Sequence, residues 1–148
     1  MLSASVWEKI YFLDKIRKSP MPKRYKILLL DDDADLVDEL SDALLAAGYE
    51  VAAFTEGEAA LSAADDFRPD IALIDLKMKG VSGFQVAREL GRRESTSGIP
   101  VVAMTGYYTG REDEEKMKES GIRACLFKPF PFEVAARKLK CLLKGVGI

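Results

Sequence analysis

Histidine is absent from the 148 residues of this chain, and cysteine occurs only twice. Without imidazole, histidine acid–base catalysis and histidine-ligated metal sites are excluded. The two thiols, Cys125 and Cys141, are too few for a disulfide framework or a four-ligand zinc site, and their apolar neighbours predict two buried thiols. A reducing compartment fits this pattern.

Long apolar runs are also absent from the sequence. No segment approaches the roughly 18 apolar residues of a membrane-spanning helix, and the first five residues lack the basic start of a signal peptide. We therefore expect no membrane span and a cytoplasmic location. Apolar residues make up 48% of the chain and charged residues 31%, which is the composition of one globular domain with a buried core.

Charge is unevenly distributed along the chain. Residues 1–26 contain seven basic and two acidic side chains, whereas the residues after them contain 15 basic and 22 acidic ones. The change coincides with Ser19-Pro20-Met21-Pro22, whose prolines disfavour helix. These features predict a helical leader and linker over residues 1–24 and a main domain over residues 25–148.

The leader has a helical pattern. Ser5 and Glu8 have the spacing of a capping box, and apolar side chains recur at helical intervals. This stripe comprises Val6, Trp7, Ile10, Tyr11 and Leu13. Because so short a helix is marginal alone in water, we expect the stripe to be covered. The sequence leaves several interpretations open. The helix packs on the chain's own domain, is the remnant of an upstream start, or binds a partner helix, including that of a homodimer. Its basic residues also fit an acidic surface.

From Tyr25 onward, short apolar runs alternate with helical patterns. Strands are predicted over residues 26–30, 49–54, 71–74, 99–104 and 124–127, and helices over residues 35–47, 56–64, 83–93, 111–120 and 132–144. Continuous rather than alternating apolar runs are typical of a parallel sheet covered on both faces. The pattern therefore predicts an α/β fold with a doubly wound, five-stranded parallel sheet.

Polar side chains follow four of the five predicted strands, at the edge where such sheets bind ligands. They are Asp31-Asp32-Asp33, Asp75, Thr105 and Lys128. Crowded carboxylates repel one another and attract a cation. Hard oxygen ligands favour Mg²⁺, Ca²⁺ or Mn²⁺, and a partial shell with room for phosphate oxygens suits Mg²⁺ best. The edge therefore predicts a site for a metal and a phosphoryl group beside a carboxylate.

Four segments resemble, in order and spacing, the receiver domains of two-component response regulators. They are residues 27–33 (ILLLDDD), 70–80 (DIALIDLKMKG), 101–106 (VVAMTG) and 126–130 (LFKPF). The resemblance extends over residues 25–144. It implies a flavodoxin-like sheet with strand order 2-1-3-4-5, as in stand-alone receiver domains of the CheY type, here preceded by a short helix.

The resemblance also implies a function and its acidic residues. Asp75 would accept a phosphoryl group from the phosphohistidine of a sensor histidine kinase or a histidine phosphotransfer protein. Asp31, Asp32, Asp75 and the backbone carbonyl of Lys77 would hold Mg²⁺. Such a protein is a signalling domain rather than an enzyme, apart from self-phosphorylation and slow self-dephosphorylation.

Two further residues are assigned by the same resemblance. Thr105 and Lys128 would bind the phosphoryl oxygens, as a hydrogen-bond donor and a point charge. The peptide bond between Lys128 and Pro129 would be cis, which X–Pro bonds allow at modest cost.

Three residues near this site are candidate modulators because the sequence departs from the family pattern there. Lys77, two residues after the acceptor, would place an ammonium at the rim, where it pairs with the carboxylates, reaches the phosphoryl group or stays solvated. Cys125 stands three residues before Lys128, where the family commonly has an aromatic side chain. Tyr107 either substitutes for that aromatic or rests on the surface.

The predicted helix over residues 111–120 has Met117 as its main apolar anchor. Little burial predicts a short, weakly ordered helix. We expect this helix, the strand after it and the last helix to form the face that shifts on phosphorylation and controls a protein partner. The last helix ends near residue 144, so we expect no effector domain in the chain. The acidic main domain predicts no direct nucleic-acid binding.

Two other functions stay open. A phosphohydrolase of the haloacid-dehalogenase type would use Asp31 as its nucleophile, with Thr105 and Lys128 as later motifs, but would leave Asp75 without a role. A receiver-like binding module would keep the fold and lack phosphotransfer.

Overall fold

A computed structural model describes residues 3–18, 23–106 and 110–145 of the chain. A short N-terminal helix precedes five strands, each of which is followed by a helix. The elements are α1 (Ala4–Lys18), β1 (Lys26–Leu30), α2 (Ala34–Ala46), β2 (Glu50–Phe54), α3 (Gly57–Phe67), β3 (Ile71–Asp75), α4 (Gly83–Arg92), β4 (Val101–Thr105), α5 (Arg111–Glu119), β5 (Ile122–Phe127) and α6 (Phe132–Leu143). The predicted α/β alternation is confirmed.

The five strands form one parallel sheet in the order β2-β1-β3-β4-β5. This is the flavodoxin-like order that the family resemblance implies, so the predicted fold class is confirmed. In β3 and β4 every residue is buried, and in β1 all but the first. The sheet is covered on both faces, which explains why these strands are continuous apolar runs.

Alternate residues of each central strand enter two separate cores. Ile27 and Leu29 of β1 point to the core that includes Val37, Leu40 and Leu44 of α2 and Leu139 of α6. Leu28 and Leu30 point to the opposite core, with Ala60 and Ala64 of α3 and Val86 and Leu90 of α4. The two-residue side-chain period of a strand thus builds both layers of the sandwich. The sheet edge that carries the polar residues stays outside both cores.

Several element boundaries differ from the prediction. β4 begins at Val101 rather than at residue 99, because Pro100 has no amide donor and contributes only its carbonyl, which accepts from the Ala72 amide. α3 continues past residue 64 to Phe67 and ends at Arg68, whose φ of 53° is left-handed. The sequence has no glycine there to mark the end.

The leader helix exists, but its predicted capping is wrong. α1 begins at Ala4, and the carbonyl of Ser3 accepts from the amides of Val6 and Trp7. Ser5, expected as the N-cap, therefore lies inside the helix. The apolar stripe is exposed and α1 makes no extensive contact with any other helix or strand in the described ranges, so the chain's own domain does not cover it.

Two composition-based expectations have simple outcomes. Cys125 and Cys141 are both free thiols, but each is half-buried rather than buried. No helix within the described parts of the chain is long and apolar enough to cross a lipid bilayer.

The start of α4 is packed against the end of β3 through Gly83. Its amide donates to the Leu76 carbonyl at 3.1 Å. A Cβ atom added at Gly83 would lie 2.8 Å from the Leu76 Cα and would overlap the carbonyl oxygen of Asp75. Gly91, in the same helix, has open space at the same position.

We expect Gly83→Ala to destabilise the domain by about 3 kcal/mol, because backbone atoms rather than flexible side chains must move. Gly91→Ala should instead stabilise it by about 0.5–1 kcal/mol, since alanine is the better helix former. Urea unfolding of both variants tests the pair. Equal effects of the two substitutions would contradict this packing.

Candidate functional site

The carboxyl end of β1 supplies two aspartates with different environments. Asp31 is buried, its amide donates to the Phe54 carbonyl of β2, and its Oδ1 accepts from the Asp33 amide at 3.0 Å. Asp32, the next residue, is exposed. Asp33 turns away to become the N-cap of α2, where its side chain accepts from the amides of Asp35 and Leu36. The first two acids of the triplet therefore face the site and the third starts a helix.

The carboxyl end of β3 supplies the third acid of the site. Asp75 is the last residue of that strand and is buried. Its Oδ1 lies 3.4 Å from the Lys77 amide. Carboxylate oxygens of Asp31, Asp32 and Asp75 all lie within 4.8 Å of one another. Residues 44 positions apart in the sequence therefore meet because β1 and β3 are neighbours in the sheet.

Lys128 is the cation of this cluster. It follows β5, and its amide donates to the Thr105 carbonyl at 2.8 Å, which ties the ends of β4 and β5 together. The peptide bond to Pro129 is cis, as the resemblance implied. The ammonium donates to Asp31 Oδ2 at 2.5 Å and lies 3.7 Å from Asp75 Oδ1. One ammonium thus contacts both buried carboxylates.

Thr105 ends β4 at the same edge of the sheet. It is buried, and its register partner on β5 is Phe127, the residue before Lys128. On the other side, Asp75 is in register with Met104, the residue before Thr105. Thr105 therefore lies on β4, between β3, which ends at Asp75, and β5, which Lys128 follows.

The electrostatics of the cluster are unfavourable for a charged Asp75. Burial and the nearby Asp31 carboxylate raise the pKa of Asp75 from 3.8 to about 6, with a smaller contribution from Asp32. Lys128 and the Lys77 amide lower the pKa but do not cancel these effects. A buried carboxylate that is costly to ionise is a carboxylate that a divalent cation would stabilise.

The donor set fits a hard cation. Ligands of one Mg²⁺ at about 2.1 Å can be at most about 4.2 Å apart, so separations of up to 4.8 Å require only a small closure or one intervening water. Among the described residues, the metal ligands that converge here are carboxylate oxygens, without nitrogen or sulfur. Such a donor set favours the hard cations Mg²⁺, Ca²⁺ and Mn²⁺ over softer transition metals.

Two of the three candidate modulators, Lys77 and Cys125, are described, and neither belongs to the cluster of three carboxylates. Lys77 is exposed at its rim. Cys125 is half-buried on β5 opposite Ala103, its sulfur lies 3.9 Å from the Leu126 carbonyl, and burial raises the pKa of its thiol. Tyr107 lies outside the described residues.

Helix α5 belongs to the predicted signalling face, and the residue that it buries is not the predicted Met117. α5 is nine residues long, as short as predicted, and it lies against β5. Its buried residue is Asp113, whereas Met117 is only half-buried. Apolar content alone could not identify a buried carboxylate as the inward-facing residue.

The sequence did not reveal that Gly83 packs against the backbone of Asp75. The segment Ser82-Gly83-Phe84-Gln85 does announce a helix start, and Ser82 and Gln85 form a capping box. The local sequence contains no sign that the glycine packs directly beneath the Asp75 backbone. That contact depends on where α4 crosses the end of β3.

The raised pKa of Asp75 predicts a pH-dependent stability in the absence of divalent metal. The folded state holds the Asp75 proton more tightly than the unfolded chain, so this residue makes the free energy of unfolding fall as pH rises from about 4 to about 6. Asp75→Asn should therefore stabilise the metal-free protein by about 2 kcal/mol at pH 7.5, and the gain should vanish near pH 4.

Urea unfolding in a chelating buffer at several pH values measures this difference. Asp33→Asn is the matched control, because Asp33 is exposed and asparagine also caps helices; its effect should stay below about 0.5 kcal/mol at every pH. A gain for Asp75→Asn that does not depend on pH would contradict the electrostatic account.

Comparison with known proteins places this geometry in a family. A family model described as the response regulator receiver domain matches residues 27–140. The DNA-binding response regulator MtrA of Mycobacterium tuberculosis is 38% identical over 115 residues, which cover 77% of this chain and 49% of MtrA. The chain thus spans about half the length of the curated relatives it matches.

Solved structures agree with the sequence match. The chemotaxis protein CheY4 of Vibrio cholerae has a TM-score of 0.78 and 27% identity, over 81% of this chain and 99% of that one. The receiver domain of sensor histidine kinase PA1611 from Pseudomonas aeruginosa has a TM-score of 0.74 and 25% identity, over 82% and 99% of the two chains. The PA1611 structure contains a magnesium ion coordinated in its active-site cleft.

The relatives correct one prediction. The expectation that the protein has no direct nucleic-acid partner is wrong, because the curated relatives that the chain matches over about half their length include DNA-binding response regulators. The negative charge of residues 27–148 describes only the part that matches a receiver domain, and it carries no information about the rest of such a protein.

The family match also decides between the functions that the sequence left open. It covers most of the chain and includes all four motif segments, whereas neither the phosphohydrolase nor the binding-module alternative is favoured by any of these findings. Receiver domains bind Mg²⁺ at their acidic site and are signalling domains rather than classical enzymes. The chain therefore belongs to the response regulator receiver domains, the phospho-accepting signalling domains of two-component systems.

Proposed function

We propose that Asp75 is the residue of this chain that accepts the phosphoryl group. The observation that supports the proposal is the convergence of Asp75 with two further carboxylates and the Lys128 ammonium at the carboxyl edge of the sheet. The phosphoryl donor is the phosphohistidine of a sensor histidine kinase or histidine phosphotransfer protein, which places the step in the cytoplasm. The protein itself supplies position and charge, which is the main requirement of phosphoryl transfer.

The transfer is a simple exchange of bonds. An Asp75 carboxylate oxygen attacks the phosphorus atom, an O–P bond forms, the N–P bond to the donor imidazole breaks, and the imidazole leaves with the bonding electron pair. With acetyl phosphate as donor the leaving group is acetate. Self-dephosphorylation reverses the loading by transfer of the same group to water.

Asp75 is better suited than Asp31 to be the nucleophile. Both oxygens of Asp31 are engaged, one by the Asp33 amide at 3.0 Å and one by Lys128 at 2.5 Å. Asp75 receives only longer contacts, 3.4 Å from the Lys77 amide and 3.7 Å from Lys128. Its oxygens are therefore less committed, which argues for Asp75 and against a phosphohydrolase that attacks through Asp31.

Asp31, Asp32, Asp75 and the backbone carbonyl of Lys77 would hold Mg²⁺, which would neutralise the carboxylates and the phosphoryl oxygens during transfer. Lys128, now paired with Asp31, would exchange part of that contact for the phosphoryl group. The Thr105 hydroxyl would donate to a phosphoryl oxygen. Because the Thr105 carbonyl accepts from the Lys128 amide, both phosphate-binding residues would respond together.

The response would pass to the face built from α5, β5 and α6. Lys128 follows β5 directly, and Thr105 lies in register with Phe127 at the end of that strand. A shift of either residue toward a phosphoryl group would therefore pull on this face. Residues 25–148 would act as the receiver domain, preceded by a separate leader over residues 1–24.

Chemical trapping tests the acceptor directly. The full chain is incubated with Mg²⁺ and acetyl phosphate, the acyl phosphate is reduced with borohydride, and the labelled residue is mapped by mass spectrometry. We expect the label on Asp75, and its loss in Asp75→Asn or on chelation of Mg²⁺. Asp33→Asn, which changes an acid next to the cluster in sequence but outside it, should keep the label.

Each other outcome of the trapping experiment points to a different protein. Label on Asp31 would favour the phosphohydrolase. No label with acetyl phosphate or with any phosphohistidine donor would favour a binding module without phosphotransfer. Either result would overturn the assignment of Asp75.

Lys77 provides a second test at the rim of the site. Lys77 is exposed and lies two residues after Asp75, which belongs to the cluster of three carboxylates. Its ammonium would compete with Mg²⁺ for these carboxylates. Lys77→Ala should therefore tighten Mg²⁺ binding about two- to threefold at low ionic strength and change the half-life of the phosphorylated form. Calorimetric Mg²⁺ titration and the decay of the trapped phosphate measure both quantities.

Lys79→Ala is the control for this change, because it removes the same charge from an exposed position in the same loop. It should have the smaller effect on both quantities. Identical affinity and half-life in Lys77→Ala and the unmodified protein would exclude a role for Lys77.

A further inference from the structure

The N-terminal helix α1 leaves a set of large apolar side chains in water. Val6, Ile10 and Leu13 are 37%, 44% and 64% exposed, and Trp7, Tyr11 and Phe12 are more than half exposed. Both cores of the receiver domain are filled by the sheet and the helices after it. An isolated 15-residue helix with this face is marginal in water, so it needs a partner to be stable.

The spacing of three of these residues is that of a coiled coil. Val6, Ile10 and Leu13 are separated by four and then three residues, which places them at successive d, a and d positions of a heptad. They form one seam along the helix. Trp7 lies at the flanking e position and widens this seam, whereas Tyr11 and Phe12 lie at b and c, outside it.

The charges beside the seam select one arrangement. Lys9 occupies a g position and Asp14 the e position five residues later. In a parallel two-stranded coil, g of one chain faces the following e of the other, so Lys9 would meet Asp14 twice across the dimer. In an antiparallel pair, g positions flank g positions and e positions flank e positions, so Lys9 and Asp14 would not meet. Opposite charges therefore favour a parallel pair of identical helices.

We propose that α1 forms a parallel two-stranded coiled coil with α1 of a second copy of this chain. The parallel direction brings the carboxyl ends of both helices together, so two receiver domains emerge side by side from one end. This dimer contact lies outside the site of Asp75 and does not depend on phosphorylation. The proposal stands independently of the function proposed for Asp75.

The first test is the oligomeric state of the full chain. Sedimentation equilibrium from about 1 µM to about 500 µM should show a reversible monomer–dimer equilibrium, since a seam of only three apolar positions binds weakly. Ile10→Asp and Leu13→Asp should each weaken the dimer at least tenfold. Phe12→Ser, which removes an equally exposed apolar side chain outside the seam, should leave the dimer intact.

The second test concerns direction. Lys9→Glu and Asp14→Lys should each weaken the dimer about two- to fivefold at low salt, and the double variant should restore it, because the pairs are again opposite in charge. In an antiparallel coil these two positions would not meet, so the double variant would not restore the dimer. A Ser3→Cys variant should form an intermolecular disulfide across a parallel dimer, whereas antiparallel helices would hold these thiols about 20 Å apart.

Defined results would overturn the proposal. A monomer at all concentrations would do so, as would a dimer that survives both Ile10→Asp and Leu13→Asp. Cross-linking of Ser3→Cys no greater than that of the unmodified protein, which has its own two thiols, would exclude the parallel direction. Unchanged thermal unfolding of the receiver domain in every variant confirms that the effects arise at α1.

Discussion

Mutual repulsion among three carboxylates at one edge of a parallel sheet is the interaction on which the rest of this protein depends. Asp31 and Asp75 are buried side by side, and one ammonium, that of Lys128, contacts both. Burial, together with the Asp31 carboxylate, raises the pKa of Asp75 although Lys128 lowers it. The site therefore has a standing affinity for further positive charge, which a divalent cation would supply.

The packing of the sheet holds the three carboxylates close together despite their repulsion. β1, β3 and β4 are anchored by apolar side chains on both faces, so the strand ends cannot move apart without disturbing two cores. Gly83 adds a backbone contact between the start of α4 and the Asp75 carbonyl. Hydrophobic burial in the two cores thus offsets the unfavourable electrostatic energy of the carboxylate cluster.

In the proposed function this edge would transmit a signal, because its residues belong to different strands. Lys128 is joined to Asp31 by its side chain and to Thr105 by its backbone. A phosphoryl group on Asp75 would therefore reach β4 and β5 through atoms already in contact. The leader differs from the sheet, because the apolar side chains of α1 are exposed to solvent. Its proposed partner is α1 of a second copy of the chain.

How much of this could be predicted depends on the range of the interactions involved. Continuous apolar runs and glycine or proline signals are local, so the α/β alternation, the parallel sheet and the acid-bearing strand ends follow from the sequence. The exceptions are also physical. Arg68 ends α3 in a left-handed conformation that no glycine announces, and Ser5 is inside α1 because Ser3 provides the first carbonyl of the helix.

By itself, the sequence determined which side chains stand at the strand ends and that carboxylates, a hydroxyl and an amine would share one edge, because parallel strands place their carboxyl ends at the same edge of a sheet. Only the tertiary structure decided that Lys128 pairs with Asp31 more closely than with Asp75, that Gly83 lies against the Asp75 backbone, and that the apolar face of α1 stays exposed. Those outcomes depend on the relative positions of elements far apart in the chain, which no local pattern encodes.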